Sequence, residues 1–497
     1  MAGLFFADFE SSSEWRAGFV SLKFLVQNSL KIAENLVMKS KFNFAFFLIL
    51  ALPFFSLAAE YNGMDVPDSS GIRSAVAESW FYSDINELRS KRTELRSNSI
   101  GQNFQVRMEE SDVYNSVIVA PETFLSVDVY TESGATRKTV SEYPADACGS
   151  WVLMRDSRSG KPVHVRFYFA ADSDVYVQFA PSSDEKKSTA DFVIDGCFAS
   201  RGVPVGVKFD YFYTASFSDV LRLTEKSLPW RYADIHPDQF SGAFQMIGVV
   251  RKNLPRIKYQ WDACYDENNK PVRISDGKER FVSDSDKAEN KLTLSEAGFV
   301  KWLVDGLVEP QAGSQTYLNP LLRATTSFSP IGYAGIKNQK ENLSFTLDWT
   351  RNLAAARLSI QTRKNYLYED SGVDVKIEPF SSEVTSKGIT SVAGYIKNTG
   401  YEIKNLKPVL YVLAASEPTY FYLAAVRRRI APADGKPEYY VFDQCAAVFP
   451  YFDKNKQFGC VVFENGTEMT LSQFMKKYPD CYVHLVRVLS SDRFFPN

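Results

Sequence analysis

The spacing of apolar and polar positions changes character several times along the chain. An unbroken apolar run of nine residues, 44–52, follows the basic stretch Met38-Lys39-Ser40-Lys41. Residues 60–112 are polar, with one helical stretch at 72–96, and read as a lead-in rather than a core. From 116 the period becomes two. Segments rich in Val, Ile, Phe and Tyr recur at 117–119, 124–130, 150–154, 163–169, 175–179, 191–195 and 205–213, separated by turn residues. Short strands at such regular spacing predict an antiparallel sandwich or barrel over 113–225.

A helix-like period returns at 216–223 and 244–252, and a polar turn at 266–270 sits inside 261–273. The charged stretch 278–291 closes a mixed connector, 226–290, and marks a boundary. Thr293-Leu294-Ser295-Glu296 is a capping-box pattern, followed at helical spacing by Phe299, Val300, Leu303, Val304 and Leu307. A second helix is predicted at 345–356. Strands are then expected at 391–397, 409–414, 422–427, 438–448, 458–464 and 482–489, with a short helix at 471–477. Helices first and antiparallel strands later is an α+β order, here over 291–497. The expected fold class is therefore α+β, with a β-rich N-terminal sandwich or barrel followed by an α+β domain.

The run at 44–52, its basic lead and the small residues Ser56 and Ala58 fit a secretory signal at 38–59, cleaved after Ala58 or Ala59. The apolar core is shorter than the ~20 residues a membrane span needs. No cysteine follows the small residues, which argues against a lipid anchor. On this reading 1–37 is an upstream over-extension of the reading frame, with Met38 the start, and the mature chain is periplasmic or secreted with no transmembrane segment.

Composition adds three points. Lys plus Arg number 57 and Asp plus Glu 59, a formal net charge of −2, which argues against a nucleic-acid partner. Aromatic residues make up 14% and suit β-rich cores, with an exposed carbohydrate-binding face the alternative. An exported chain with six cysteines is permitted disulfides, and Cys445 and Cys460, flanking one predicted hairpin, are the simplest local pair; buried free thiols are the alternative.

Catalytic motifs are scarce. Cys148-Gly149-Ser150-Trp151 imitates a papain-type nucleophile but leads into a strand, not a helix N-terminus. His164, His236 and His484 stand in no motif with a cysteine. No G-x-S-x-G elbow, C-x-x-C, metal-spaced His pair or phosphate-cradling loop occurs, so nothing implies a metal or cofactor. Asp453-Lys454-Asn455-Lys456-Gln457 imitates a calcium loop but has Phe458 where glycine is required.

Ser295-Glu296-Ala297-Gly298-Phe299-Val300-Lys301-Trp302 resembles the nucleophile helix of NlpC/P60 cell-wall peptidases, where Asp-Cys-Ser-Gly precedes apolar residues. Gly298, Phe299 and Val300 match that pattern. Tyr420-Phe421-Tyr422-Leu423-Ala424-Ala425-Val426 stands for the family's His-bearing strand, and the strand around Gln444 for its third polar residue. Glu296 occupies the nucleophile position, and 405–480 contains no histidine. The resemblance implies a papain-like domain that has lost catalysis, with Glu296, Trp302, Tyr420 and Gln444 converging on a residual groove. The capping box accounts for Glu296 without any such ancestry. The expected function is an exported envelope protein, a pseudoenzyme that binds or scaffolds, with peptidoglycan peptides the first ligand. The alternatives are a cell-wall hydrolase, for example with Glu296 and Asp305 as paired carboxylates, and a structural or adhesive surface protein.

Overall fold

The structure, a computed structural model, describes residues 66–131, 134–172, 174–183, 185–326, 343–431 and 438–497. The chain divides into two units, Met1–Gly63 and Met64–Asn497. The first, with the expected upstream extension and signal segment, lies outside the described residues; the second is α+β and rich in strands.

Helix α1 (Ser70–Val76) runs through a π-helical turn at Ala77–Phe81 and is followed by α2 (Ile85–Ser90). Ten strands succeed them: β1 (Glu94–Ser97), β2 (Asn103–Glu110), β3 (Tyr114–Pro121), β4 (Thr123–Thr131), β5 (Gly134–Glu142), β6 (Trp151–Asp156), β7 (Pro162–Phe167), β8 (Val175–Pro181), β9 (Ser188–Ile194) and β10 (Cys197–Val205). Helices α3 (Phe217–Thr224) and α4 (Ser241–Asn253) lead to the short strands β11 (Ile257–Tyr259), β12 (Ala263–Tyr265) and β13 (Pro271–Arg273). Next come α5 (Asp284–Ala288), β14 (Leu292–Leu294), α6 (Glu296–Ala312), α7 (Leu318–Leu321), α8 (Phe345–Thr362) and α9 (Tyr368–Ser371). The chain ends with β15 (Ser382–Thr385), β16 (Gly388–Ser391), β17 (Tyr401–Glu402), α10 (Leu406–Ser416), β18 (Tyr420–Ile430), β19 (Tyr439–Phe452), β20 (Phe458–Glu464), β21 (Thr467–Thr470), α11 (Leu471–Lys477) and β22 (Tyr482–Leu489).

Eight of the first ten strands form one antiparallel sheet, in the order β1-β2-β3-β6-β7-β8-β9-β10, and β15 and β16 extend it to ten. Cys197 pairs with Glu383 and Phe198 with Ser382, so residues from the 291–497 region complete the sheet of the 113–225 region. Among the described residues, strands β4 and β5 pair only with each other. The second sheet is antiparallel with six strands, ordered β17-β22-β18-β19-β20-β21.

Both faces of the six-stranded sheet are covered. Tyr422, Ala424 and Val426 point into a core shared with the ten-stranded sheet and α10. Phe421 and Leu423 point into a second core built with α4, α6 and α8. This is why 420–426 reads as a continuous apolar run rather than an alternating one.

Several expectations are corrected. The strand expected at 409–414 is the middle of α10, buried on nearly every side; an apolar run packed all round carries no period to separate helix from strand. The polar lead-in at 60–112 supplies core, since Val76, Trp80, Phe81, Phe104 and Val106 are fully buried. Its expected 72–96 helix breaks into α1, the π turn and α2, and then turns into β1. The strand expected at 205–213 is the end of β10 followed by a 3-10 turn at Phe209–Tyr213. Strand β16 stops at Ser391, leaving most of 391–397 outside regular strands.

Candidate functional site

The expected groove residues do not converge. Trp302 lies in the second core, its indole N–H donating to the Asn497 carbonyl at 2.7 Å. Tyr420 packs against the first core, and Gln444 shares its face with Ala446 and Val448 of that same core. The six-stranded sheet therefore separates Trp302, and the helix that begins at Glu296, from Tyr420 and Gln444. Gln444 pairs with Val426, six residues along β18 from Tyr420, or roughly 20 Å of strand.

Glu296 is the first residue of α6, not the third of a capping box. Thr293 belongs to β14, and Ser295 is the N-cap, its side chain accepting from the Gly298 N–H at 3.1 Å. The Glu296 carboxylate accepts from Asn465 at 2.9 Å. Asp305 is buried and bonds Lys301 at 2.6 Å, so it does not face Glu296 as a catalytic partner. Burial tends to raise its carboxyl, against the charge of Lys301.

All six cysteines are free. Cys445 sits on the second-core face of β19 and Cys460 packs on the first core. Cys460 pairs with Pro450, five positions from Cys445, so the proposed bridge would span about 17 Å, far beyond disulfide reach. Burial pushes the Cys148, Cys197 and Cys264 thiols up to about 12, and Cys445 well above its ordinary value. Such thiols are poor nucleophiles at neutral pH. Among the described residues no cluster of three or more His, Cys, Asp or Glu is placed to hold a metal ion, and no helix is long and apolar enough to cross a membrane.

The densest polar chemistry lies where α8 packs on β22. Arg351 is fully buried and grips Asp374 with two nitrogens, Nε to Oδ1 at 3.1 Å and Nη2 to Oδ2 at 2.9 Å. Arg351 Nη2 also donates to Asn398 at 3.0 Å and Nη1 to Thr325 at 3.2 Å. His484 is 0% exposed, with Nε2 3.2 Å from Arg351 Nη2 and 3.4 Å from the Tyr395 hydroxyl. Nε2 also lies 3.5 Å from Asp374 Oδ2, and Nδ1 is buried without a hydrogen-bond partner. Burial pushes His484 down, against the pull of Asp374. Burial opposes the charge on Asp374, but His484 and Arg351 outweigh it and hold the carboxyl well below the usual carboxylate range.

Tyr368 closes this network on one side. Its hydroxyl donates to Asp374 Oδ2 at 2.8 Å, and its ring lies 4.4 Å from the Arg351 guanidinium carbon. Tyr368 also lines a cleft of about 300 Å³ bounded by α6, α7, α8 and α9. The cleft walls are held from below. Asp305 accepts from both the N–H and the hydroxyl of Thr316, at 2.8 and 2.6 Å, and so fixes the 313–317 segment. Asn352 donates to the carbonyls of Leu321 and Arg323, at 3.0 and 2.7 Å, and so ties the α7 region to α8. Two wider depressions, about 610 and 790 Å³, lie at the C-terminal ends of α6 and α8 and beside the β18–β19 hairpin.

Sequence reasoning missed Arg351, Asp374 and Tyr368 and set His484 aside. A signal existed. Asp374 stands between Val373 and Val375, His484 between Val483 and Leu485, and Arg351 four residues after Leu347 on a helix rich in Ala and Leu. Lone charges within apolar segments are rarely buried unless paired with one another.

No curated protein and no solved structure matches the chain. One family model matches residues 62–232, and its description is Domain of unknown function (DUF8515). That span runs from ahead of α1 through β10 and α3, so the cleft and the Arg351 network lie outside it. Over residues 62–232 the chain is similar to the DUF8515 family.

Proposed function

We propose that the chain is an exported bacterial envelope protein that acts as a non-catalytic binding or scaffolding module on peptidoglycan, its C-terminal region a degenerate relative of the NlpC/P60 peptidases. The observation that carries this reading is the separation of the cleft from the reactive groups behind it. The cleft opens to solvent, whereas His484 and Asp374 are 0% and 4% exposed and locked to Arg351. A ligand in the cleft would meet the Tyr368 ring rather than the imidazole. Helix α6 laid against an antiparallel sheet, with Phe299 and Val300 in the shared core, supports the family resemblance. The high thiol pKa values support loss of cysteine chemistry.

The test incubates the purified chain beginning at Glu60 with intact cell-wall sacculi and measures two quantities. One is protein in the pellet, and the other is release of soluble peptide and sugar over hours. The reading expects retention without release. Release abolished by His484→Ala would establish an enzyme in its place, and absence from the pellet would remove peptidoglycan as the ligand.

A further inference from the structure

We propose that the cleft between α6, α7, α8 and α9 takes an uncharged sugar ring bearing hydroxyl and amide groups, the glycan part of the wall polymer rather than its charged stem peptide. This rests on the binding-module reading and specifies its ligand. Among the described residues lining the cleft, Arg323 alone is charged, and its guanidinium is 3.4 Å from Glu369. Phosphates and acidic or amphoteric peptides would therefore leave their charges uncompensated on entry.

The remaining lining is aromatic and amide. Tyr317, Tyr366 and Tyr368 present three rings, and Tyr317 is 60% exposed although its neighbours Gln315 and Thr316 are buried. An exposed ring held on a fixed segment offers a flat apolar face with a hydroxyl at its tip. A pyranose has the complementary form, an apolar C–H face edged by hydroxyls. Gln315 lines the cleft at 6% exposure, and its Nε2 donates to Asn269 at 3.3 Å, so its amide is a fixed polar part of the wall.

Size points the same way. A volume of about 300 Å³ is at the small end of ligand sites and suits one ring or two rather than a long strand. The Asp305–Thr316 and Asn352 bonds hold the walls in place before binding, which lowers the ordering cost.

The experiment is calorimetric titration of the chain from Glu60 with N,N′-diacetylchitobiose and, separately, with an uncrosslinked stem tetrapeptide. Wild type is compared with Tyr317→Ala and with the cleft-filling Ala356→Trp, both checked for native circular dichroism and melting. The expected result is saturable binding of the disaccharide. Tyr317→Ala should weaken it by about five- to tenfold, the scale of one aromatic contact, and Ala356→Trp should abolish it. Binding of the tetrapeptide alone, blocked by Ala356→Trp, would overturn the sugar assignment while leaving the binding-module reading intact. Disaccharide binding unaffected by both variants, or no binding of either compound by a chain that sacculi retain, would overturn the cleft as the site.

Discussion

The Tyr368 hydroxyl donates to Asp374 Oδ2 at 2.8 Å, and through that bond the wall of an open cleft is joined to a buried ion pair. The tyrosine serves two environments. Its ring covers the Arg351 guanidinium on the inner side, and its position on α9 places it in the cleft lining on the outer side.

Removing the hydroxyl with Tyr368→Phe should keep the fold and cost about 1.5 kcal/mol, the lower end for a hydrogen bond to a charged group because the tyrosine is only partly buried. Asp374→Asn should cost about 3–5 kcal/mol, since it leaves Arg351 charged and unpaired in the core. Urea denaturation gives both values. Equal losses in the two variants would contradict the assignment of Asp374 as the counter-ion that keeps Arg351 buried.

His484 makes a prediction about pH. Burial lowers its pKa in the folded chain, with Arg351 and Lys376 acting in the same direction and Asp374 opposing. The unfolded chain therefore takes up the proton first, near pH 6.5. Stability is full above that value and declines as pH falls below it, by up to about 1.4 kcal/mol per pH unit for one proton. His484→Gln should flatten the melting temperature between pH 6.5 and 5. Asp374 acts in a lower window. Its depressed pKa stabilises the fold above about pH 3.9 and loses that contribution as the carboxyl protonates. A wild-type melting temperature that rises on acidification from pH 7 to 5 would contradict the lowered His484 pKa.

Gly298 tests how α6 is seated. A Cβ built there would stand 2.1 Å from the Ala263 carbonyl oxygen of β12, a backbone atom that cannot move aside alone. Gly298→Ala should therefore push the helix off β12 and cost about 1–3 kcal/mol. Chemical denaturation beside Gly248→Ala, where nothing lies within 4 Å of the added carbon, provides the comparison. Equal stability of the two variants would show that α6 is not packed as described.

The six free thiols lead to a chemical count. The chain unfolded in denaturant without reductant should titrate close to six thiols, and in the native state Cys445 should be among the slowest to react. A count of four with a Cys445–Cys460 peptide in the non-reduced digest would restore the bridge that the strand register argues against.

Much of the architecture was legible in the sequence, and the failures share a cause. Strands β3, β6, β8 and the terminal strands showed as short runs of Val, Ile, Phe and Tyr bounded by turn residues, several of them buried on both faces. The pattern failed at α10, where Val409, Leu410, Tyr411, Val412 and Leu413 are all buried and no face is left to mark a helix. It undervalued Trp80 and Phe81, whose core partners lie on strands far along the chain. The site was less legible. Gly298 attracted notice as a motif residue, yet its visible role is to let α6 approach Ala263. Arg351 and Asp374 are 23 residues apart with His484 another 110 beyond, and such long-range pairing leaves only lone charges in apolar segments to find.

Sacculus co-sedimentation of the wild-type chain beside Ala356→Trp tests the central claim most directly. Binding through the cleft predicts that wild type pellets with cell-wall material, that Ala356→Trp stays largely in the supernatant, and that neither releases soluble fragments. Equal pelleting of the two proteins would contradict binding through the cleft, and soluble fragments released by wild type would contradict a non-catalytic module.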